Sequence, residues 1–233
     1  MAGLEEALEG VDYITNILRS CPNENCMLNK LINVSGANIC DYARLFDSSS
    51  DSNFGVRISS GNLEPDQTTG NIPFAFTTHI HGEARIIVDI NRICNETRPL
   101  IILETLLHEL IHAFFYEKME SLGWPGDQLS EGEYFDELME IMLNENPGKT
   151  HHEIMTLYYL EPMANTLRIL NNNHGEPSDY YGLILYGLNS TSNGVNNIIR
   201  DYFNLTDLEI VEAYATSINT VVTPSTLNFT NCE

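Results

Sequence analysis

The sequence has few basic residues for its length. Its 233 residues include 11 Lys and Arg against 33 Asp and Glu, which gives a formal net charge of −22. Nucleic-acid phosphates attract Lys and Arg and repel carboxylates, so we expect no nucleic-acid partner. The same charge disfavours docking on anionic lipid. Solubility, or attraction to cationic partners, is the milder interpretation of this charge.

Long apolar runs are also lacking. No stretch approaches the roughly 18 consecutive apolar residues of a membrane span, so we expect none. The N-terminal segment MAGLEEALEGVDYITNILRS has neither the basic region nor the apolar region of a signal peptide. A leading Met-Ala-Gly can also mark the start of a fragment of a longer protein, in which case any upstream export signal would be invisible in this sequence.

Cysteines are sparse and odd in number, and such a set is no disulfide framework by itself. Two of them bracket the turn PNEN, which a disulfide could close in an oxidising compartment, with two free thiols as the alternative. There is no second closely spaced pair, so cysteine-bound zinc is not expected. The five are Cys21, Cys26, Cys40, Cys94 and Cys232.

Hydrophobic residues make up 42% of the chain, an ordinary fraction for a globular protein. No repeat or low-complexity linker divides it, so we expect a single domain over residues 1–233. Its first part is predicted to contain helices at 4–19 and 26–33, a loop at 48–72 with a short strand at 55–58, and strands at 74–81 and 84–90 joined by a turn at HGE.

Three helices are predicted next. The first opens near Thr97 with Pro99 in its first turn, where proline is tolerated, and the glycines and proline at 123–126 end it. The second starts at Glu131 and ends at Asn146-Pro147-Gly148, and the third covers 151–175. From Asp179 onward, short helical patterns precede a β-rich tail, INTVVTPSTLNFTN.

The first of these helices carries polar residues in an apolar stretch, ETLLHELIHAFFYE. A buried polar group costs a few kcal/mol unless something pairs with it, so these residues need a partner. His108 and His112 are four residues apart and lie on one helix face, a spacing that suits two imidazoles on one ion. The alternative is a pair of hydrogen-bonded core histidines.

Glu109 lies about 100° around the helix from His108. It can therefore reach a water beside an ion rather than bind the ion itself. This is the HExxH arrangement, in which zinc acidifies water and the glutamate accepts its proton. We therefore predict a Zn²⁺ site with Glu109 as the general base.

A catalytic zinc site needs a third protein ligand. A metzincin would have a histidine six residues after His112, but that residue is Lys118. A gluzincin would use a glutamate on the next helix, and Glu131 lies 19 residues after His112. The adjacent histidines at 151 and 152 are the rival, so the residues alone leave both alternatives open.

Three blocks, LLHELIHAFF, HHEIMTLYYLEPMANTL and YYGLILYGLNST, resemble bacterial SprT-like metallopeptidase domains, which are common in Bacteroidetes and in phage-associated proteins. The similarity spans about residues 70–195, the expected catalytic core. It implies an α+β, zincin-like fold in which a small β-sheet packs on an active-site helix with further helices. It also implies that His108, His112 and a later histidine bind zinc and that Glu109 is the catalytic base.

The family pattern after HExxH is H-x-x-M-A-x-x-Y, which places the later histidine at His152 and the tyrosine at Tyr159. Thr156 stands where the family usually has alanine. The resemblance therefore favours His152 over Glu131 as third ligand, and it makes His151 a neighbour beside the metal site or on the surface. A helical stripe shared by His152, Met155 and Tyr159 would point His151 elsewhere.

Other candidate residues are secondary. Tyr159 could donate a hydrogen bond to an oxyanion, although a tyrosine in an apolar helix is more often part of the core. His79 and His81 alternate on a predicted strand and could share a second metal, or form a solvated edge.

The predicted function is that of a zinc metallopeptidase, a hydrolase acting on a peptide or protein substrate. One strand is expected to run along the cleft and to bind an extended substrate by strand addition. Alternatives are a non-catalytic zinc-holding binding domain and an effector domain of a longer bacterial protein, secreted or on the cell surface. Some SprT relatives act on DNA-bound proteins, a substrate that the net charge opposes here.

Overall fold

The computed structural model describes residues 27, 55–65, 73–80, 82–126, 131–143, 148–189, 203–204, 206–225 and 227. The N-terminal helices predicted at 4–19 and 26–33 lie outside these residues except for Met27, which is helical and buried. The described part is an α+β fold with a small mixed sheet and several helices. The predicted fold class is confirmed at this level.

In the described part of the chain, three strands form the sheet: β1 (Gly55–Gly61), β2 (Ala75–Ile80) and β3 (Glu83–Asp89). Their order is β1-β3-β2, so β3 is central, and it pairs parallel with β1 and antiparallel with β2. All three predicted strands are therefore present. β1 extends to Gly61, three residues past its predicted end, and Gly82 in the β2–β3 turn has a positive φ of 80°.

The two faces of the sheet differ in composition. The inner face carries buried apolar side chains from β1 and β3, and its β2 positions are Ala75, Thr77 and His79. The other face carries an ion-paired cluster in which Glu83 accepts from Arg57 at 3.1 Å and from Arg85 at 2.5 Å. The inner face packs on a long helix, which places two polar β2 residues against that helix.

A short helix, α1 (Ile90–Asn95), follows β3 directly. Its N-cap, Asp89, accepts the N–H of Arg92 at 2.8 Å and that of Leu63 at 2.9 Å. Asp89 is buried, and these two bonds partner its carboxylate while tying the chain after β1 to the start of α1. The sequence pattern did not predict α1 as a separate helix.

The long helix is α2 (Pro99–Ser121). It begins two residues after the predicted start, with Pro99 at the first position and Arg98 as N-cap. It ends at Ser121, and Gly123 with φ 96° turns the chain, as predicted. Sheet and helices surround α2, and nearly all of its length is buried.

By length and composition alone, α2 could cross a membrane. However, 89% of its most apolar window is buried inside the structure, as is usual for the core helix of a globular protein. The helix is therefore weak evidence for a membrane span.

The next helices bring the chain back to α2. Helix α3 (Glu131–Leu143) packs on α2 through buried Phe135, Leu138 and Met139. The third predicted helix is observed as three consecutive segments: α4 (His151–Ile154), a π-helical turn (Met155–Tyr159) and α5 (Leu160–Leu170). A capping box between Thr150 and Glu153 fixes the start of α4.

The last described elements are a 3₁₀ turn (Pro177–Tyr180), α6 (Tyr181–Asn189) and α7 (Asp207–Ser217). The predicted β-rich tail is wrong for its first part, since Ile218–Val222 forms a π-helical turn that continues α7. Val221 and Val222 are buried there, and the burial of β-branched residues outweighs their weak intrinsic preference for strands. Most of the tail beyond Ser225 lies outside the described residues.

Cys94, at the end of α1, is disulfide-bonded. The other four cysteines lie outside the described residues. The candidate staple between Cys21 and Cys26 also lies there and stays a prediction. A disulfide fits an oxidising compartment.

Candidate metal centre

Three histidine side chains converge between α2 and α4. His108 and His112 lie one turn apart on α2, and their Nε2 atoms are 3.2 Å apart. His152, on the first turn of α4, brings its Nε2 to 3.1 Å from that of His108 and 3.0 Å from that of His112. The three nitrogens form a nearly equilateral triangle.

Hydrogen bonding among the three rings cannot account for this triangle. The ring nitrogen of a neutral imidazole is either a donor or an acceptor. Among three mutually adjacent nitrogens, at least two must have the same role, so at least one contact is unfavourable. A cation that all three lone pairs bind removes this conflict.

The protonation states of the rings suit a cation. Burial holds the pKa of His108 well below its usual range, and the neighbouring His152 lowers it further. Burial also holds the pKa of His112 well below its usual range, and the other histidines add to this effect. Burial lowers the pKa of His152 to about 4. All three rings are therefore neutral at pH 7, with lone pairs available.

The spacing also fits a metal ion. Tetrahedral zinc with bonds of about 2.0–2.1 Å to nitrogen requires ligand atoms about 3.3–3.4 Å apart, close to the distances in this triangle. His108 is buried, whereas His112 and His152 are half-buried. His108, His112 and His152 could therefore hold a metal ion, and the geometry alone does not select which one.

The side chain of Glu109, on helix α2, reaches strand β2. The hydroxyl of Thr77 lies 2.7 Å from Oε2 of Glu109 and 3.0 Å from its backbone oxygen, and it donates to them. Burial raises the pKa of Glu109 to about 7, and the hydrogen bonds from Thr77 oppose that rise. The carboxyl group therefore exists in both protonation states near neutral pH.

A second buried carboxyl group, that of Glu104, lies on the same helix, five residues before Glu109. Burial raises the pKa of Glu104, and the negative charge of Glu109 adds to the rise, which brings it to about 8. Its Oε1 is buried without a hydrogen-bond partner. An added Cβ at Gly187 on α6 would lie 2.8 Å from that oxygen, so the glycine leaves room for the carboxyl group.

The structure separates the rival third ligands. His152 joins the triangle, whereas Glu131 lies at the start of α3 with Oε1 3.8 Å from Nε2 of His151. Tyr116 donates to the same carboxylate oxygen at 3.5 Å. Glu131 therefore lies beside His151 and outside the triangle.

His151 is not part of the triangle; it lies beside one of its three histidines and is not on the surface. Nδ1 of His151 lies 3.1 Å from Nδ1 of His112, and the ring packs 4.2 Å from that of Phe135 between centroids. His151 and His152 are adjacent on the first turn of α4 and lie about 100° apart around the helix, so one ring enters the triangle while the other contacts His112 from its outer side.

Two further predicted residues lie near this region. Tyr159 is buried at the end of the π-helical turn, with its ring edge-on to Phe115 at 5.6 Å, and its role as an oxyanion donor stays a prediction. His79 bonds Glu120 at 2.9 Å and packs 4.5 Å from Trp124. His81 lies outside the described residues, so a metal shared by the two histidines stays a prediction.

Sequence reasoning missed Thr77 and Glu104. Thr77 had a usable signal, because it alternates with Ala75 and His79 on one strand face, where a polar side chain needs a partner. Glu104 is four residues before His108, on the same helix face, which was also visible in the spacing.

Comparisons with protein-family models, with curated proteins and with solved structures gave no match to this chain. The resemblance to SprT-like domains therefore stays a prediction, and the geometry of the site carries the functional inference.

Proposed function

We propose that the chain is a zinc-dependent metallopeptidase with a zincin-like fold. The observation that carries this proposal is the triangle of three neutral imidazoles beside Glu109, a carboxyl group with a pKa of about 7. A structural metal site has no use for such a group. A hydrolytic site needs one, because a general base works best when its pKa is close to the operating pH.

His108, His112 and His152 would hold the ion. Three histidines leave one position open in a tetrahedral site, which is typical of catalytic zinc. Zinc in such a site acts as a Lewis acid, acidifying water and polarising a carbonyl group. The preference for zinc rests on the donor set, since imidazole nitrogens suit zinc better than magnesium or calcium.

Glu109 moves the proton in the proposed reaction. Its carboxylate accepts a proton from the attacking water as the new C–O bond forms at the peptide carbonyl carbon. The same carboxyl group then donates that proton to the amide nitrogen as the C–N bond breaks. Thr77 holds the carboxylate oxygen in place during both transfers.

Strand β2 is suited to bind an extended peptide. Among the described residues, it lies at the end of the sheet order and pairs with β3 on one side. Thr77 of this strand contacts Glu109, so a peptide added along β2 would pass the general base. Backbone hydrogen bonds of this kind bind a peptide with little dependence on its side chains.

Metal analysis together with cleavage of a peptide library tests the proposal. The purified chain is expected to hold about one zinc per molecule. It should cleave peptides, lose cleavage when a chelator removes the metal and regain it with added zinc. A chain that binds no metal on titration would contradict the proposal. A chain that binds zinc without cleaving any peptide would instead be a non-catalytic zinc-binding domain.

A further inference from the structure

The two ring nitrogens of His112 face different partners. Nε2 faces the triangle, 3.2 Å from Nε2 of His108 and 3.0 Å from that of His152. Nδ1 faces away from the triangle and lies 3.1 Å from Nδ1 of His151. His151 is thus in hydrogen-bond contact with one of the three candidate ligands on the side opposite to the metal.

A metal at the triangle would fix the protons of both rings. A ring nitrogen that binds a cation uses its lone pair, so the single proton of neutral His112 must then be on Nδ1. The only arrangement that keeps the contact favourable has Nδ1–H of His112 donating to Nδ1 of His151. The proton of His151 must then be on its own Nε2.

The surroundings hold His151 in this orientation. Its ring lies against three aromatic rings, with centroids 4.2 Å from Phe135, 5.1 Å from Phe115 and 5.5 Å from Tyr116. Its side chain is 13% exposed. Nε2 of His151 is buried, has no hydrogen-bond partner and lies 3.8 Å from Oε1 of Glu131. A small movement of that carboxylate would give the N–H a partner.

We propose that His151 is a positioning residue that fixes the ring orientation and the proton of His112, with Glu131 as the carboxylate beyond it. This role rests on the proposed function, because it requires a metal ion at the three histidines. Groups that bond the outer nitrogen of a ligand histidine raise its basicity, and their loss typically costs about 10–100-fold in metal affinity. The role also explains why two adjacent histidines open α4: one belongs to the triangle and the other supports a ligand.

Two substitutions of the same residue separate this role from packing. His151→Phe keeps a ring among the aromatic neighbours but removes both nitrogens. His151→Asn is smaller, yet its amide oxygen can take the place of Nδ1 and accept from His112. A packing role predicts that asparagine is the worse replacement, whereas a positioning role predicts that phenylalanine is.

The measurement is the Co²⁺ and Zn²⁺ dissociation constant of the full chain by competition with a chelator. We expect His151→Phe to weaken both metals by about 10–100-fold and His151→Asn to retain most of the parent affinity. In the zinc-loaded parent, the NMR signal of the His112 Nδ1 proton should be protected from exchange, and His151→Phe should remove that protection. Thermal unfolding of the metal-free variants reports whether each one folds.

Several outcomes bear on the inference. Parent affinity in His151→Phe, or a weaker affinity in His151→Asn than in His151→Phe, would overturn the role of His151 while leaving the proposed function intact. A parent chain that binds neither metal would overturn both. If His151→Phe does not fold, Glu131→Leu replaces it as the test, because it removes both oxygens beyond His151 and leaves the aromatic neighbours in place. Unchanged metal affinity in Glu131→Leu, or a clearly weakened affinity in His151→Asn, would then overturn the role.

Discussion

The hydroxyl of Thr77 on strand β2 lies 2.7 Å from Oε2 of Glu109 on helix α2 and donates a hydrogen bond to it. This contact joins the edge of the sheet to the candidate general base. It stabilises the carboxylate form, so it holds the pKa of Glu109 below the value that burial alone would give. The strand proposed to bind substrate thus also tunes the group proposed to act on it.

Thr77→Val is therefore expected to raise the pKa of Glu109. A hydrogen bond to a charged group contributes about 1.5–3 kcal/mol, and one pKa unit corresponds to about 1.4 kcal/mol, so we expect a rise of about one unit or more. The acid limb of the kcat/KM profile should move to higher pH by that amount, because Glu109 must be ionised to accept a proton.

Thr78→Val is the matched control, since Thr78 is the next residue and lies on the other face of β2, opposite Arg85. The acid limb of the kcat/KM profile of Thr78→Val should lie at the same pH as that of the parent. An unshifted limb in Thr77→Val, or equal shifts in both variants, would show that the Thr77 hydroxyl does not tune the base.

Glu104 makes the metal-free protein less stable as the pH rises. Its pKa in the folded chain is about 8 against an ordinary value of 4.5, so the folded state holds a proton that the unfolded state releases. The resulting stability is fully present below about pH 4.5 and is lost as the pH rises through about 8. Glu104→Gln should remove this loss.

Urea unfolding with a chelator at pH 5 and pH 8.5 measures this effect. The free energy of unfolding of Glu104→Gln minus that of the parent should increase between the two pH values by about 2 kcal/mol or more, since each pKa unit is about 1.4 kcal/mol. Glu137→Gln, on the exposed face of α3, is the control and should show no such increase. If the difference in the free energy of unfolding between Glu104→Gln and the parent did not change with pH, the raised pKa of Glu104 would be contradicted.

The triangle makes His152 the third ligand rather than Glu131. His152→Ala should therefore weaken zinc binding far more than Glu131→Ala, because it removes one of three nitrogens that face each other at 3.0–3.2 Å. Zinc titration of the two alanine variants measures this. Loss of zinc in Glu131→Ala with retention in His152→Ala would make the site a gluzincin site.

Local patterns in the sequence predicted the elements that carry the site. The i, i+4 spacing of His108 and His112 required only that the apolar segment be helical, and Pro99 and Gly123 marked its ends. The strands before it were visible in their β-branched residues. These features depend on neighbours in sequence, so a single sequence is enough to find them.

Contacts between distant segments were harder to predict. The approach of His151 to His112 depends on how the first turn of α4 lies against α2, and the bond from Thr77 to Glu109 depends on how β2 packs on α2. His152 was favoured through a resemblance and through the helical stripe that it shares with Met155 and Tyr159, because the spacing left Glu131 open. The buried turn at Ile218–Val222 was taken for a strand, since β propensity carries no information on what covers those residues.

The contact of α6 with α7 gives a test of the fold that is independent of the metal. A Cβ added at Gly182 would overlap the backbone carbonyl of Ala213 and lie 2.7 Å from the backbone nitrogen of Tyr214. Because backbone atoms cannot move aside easily, Gly182→Ala should destabilise the chain by about 1–3 kcal/mol or more.

Gly132→Ala is the matched control in α3, where nothing lies within 4 Å of an added Cβ. Replacing a helical glycine by alanine should leave stability unchanged or raise it by up to about 1 kcal/mol. Denaturant unfolding of the two variants measures the difference. Equal stabilities would show that α6 and α7 do not pack this closely.

Glu109→Gln tests the central claim most directly. The amide keeps the size of the side chain but cannot accept the proton of water, so a hydrolytic site should lose about 10²–10⁴-fold in rate. The decisive measurement is peptide cleavage by zinc-loaded parent and zinc-loaded Glu109→Gln, with the zinc content of each determined on the same samples. The account predicts equal zinc content and a collapse of cleavage in the variant, and undiminished cleavage by zinc-loaded Glu109→Gln would contradict it.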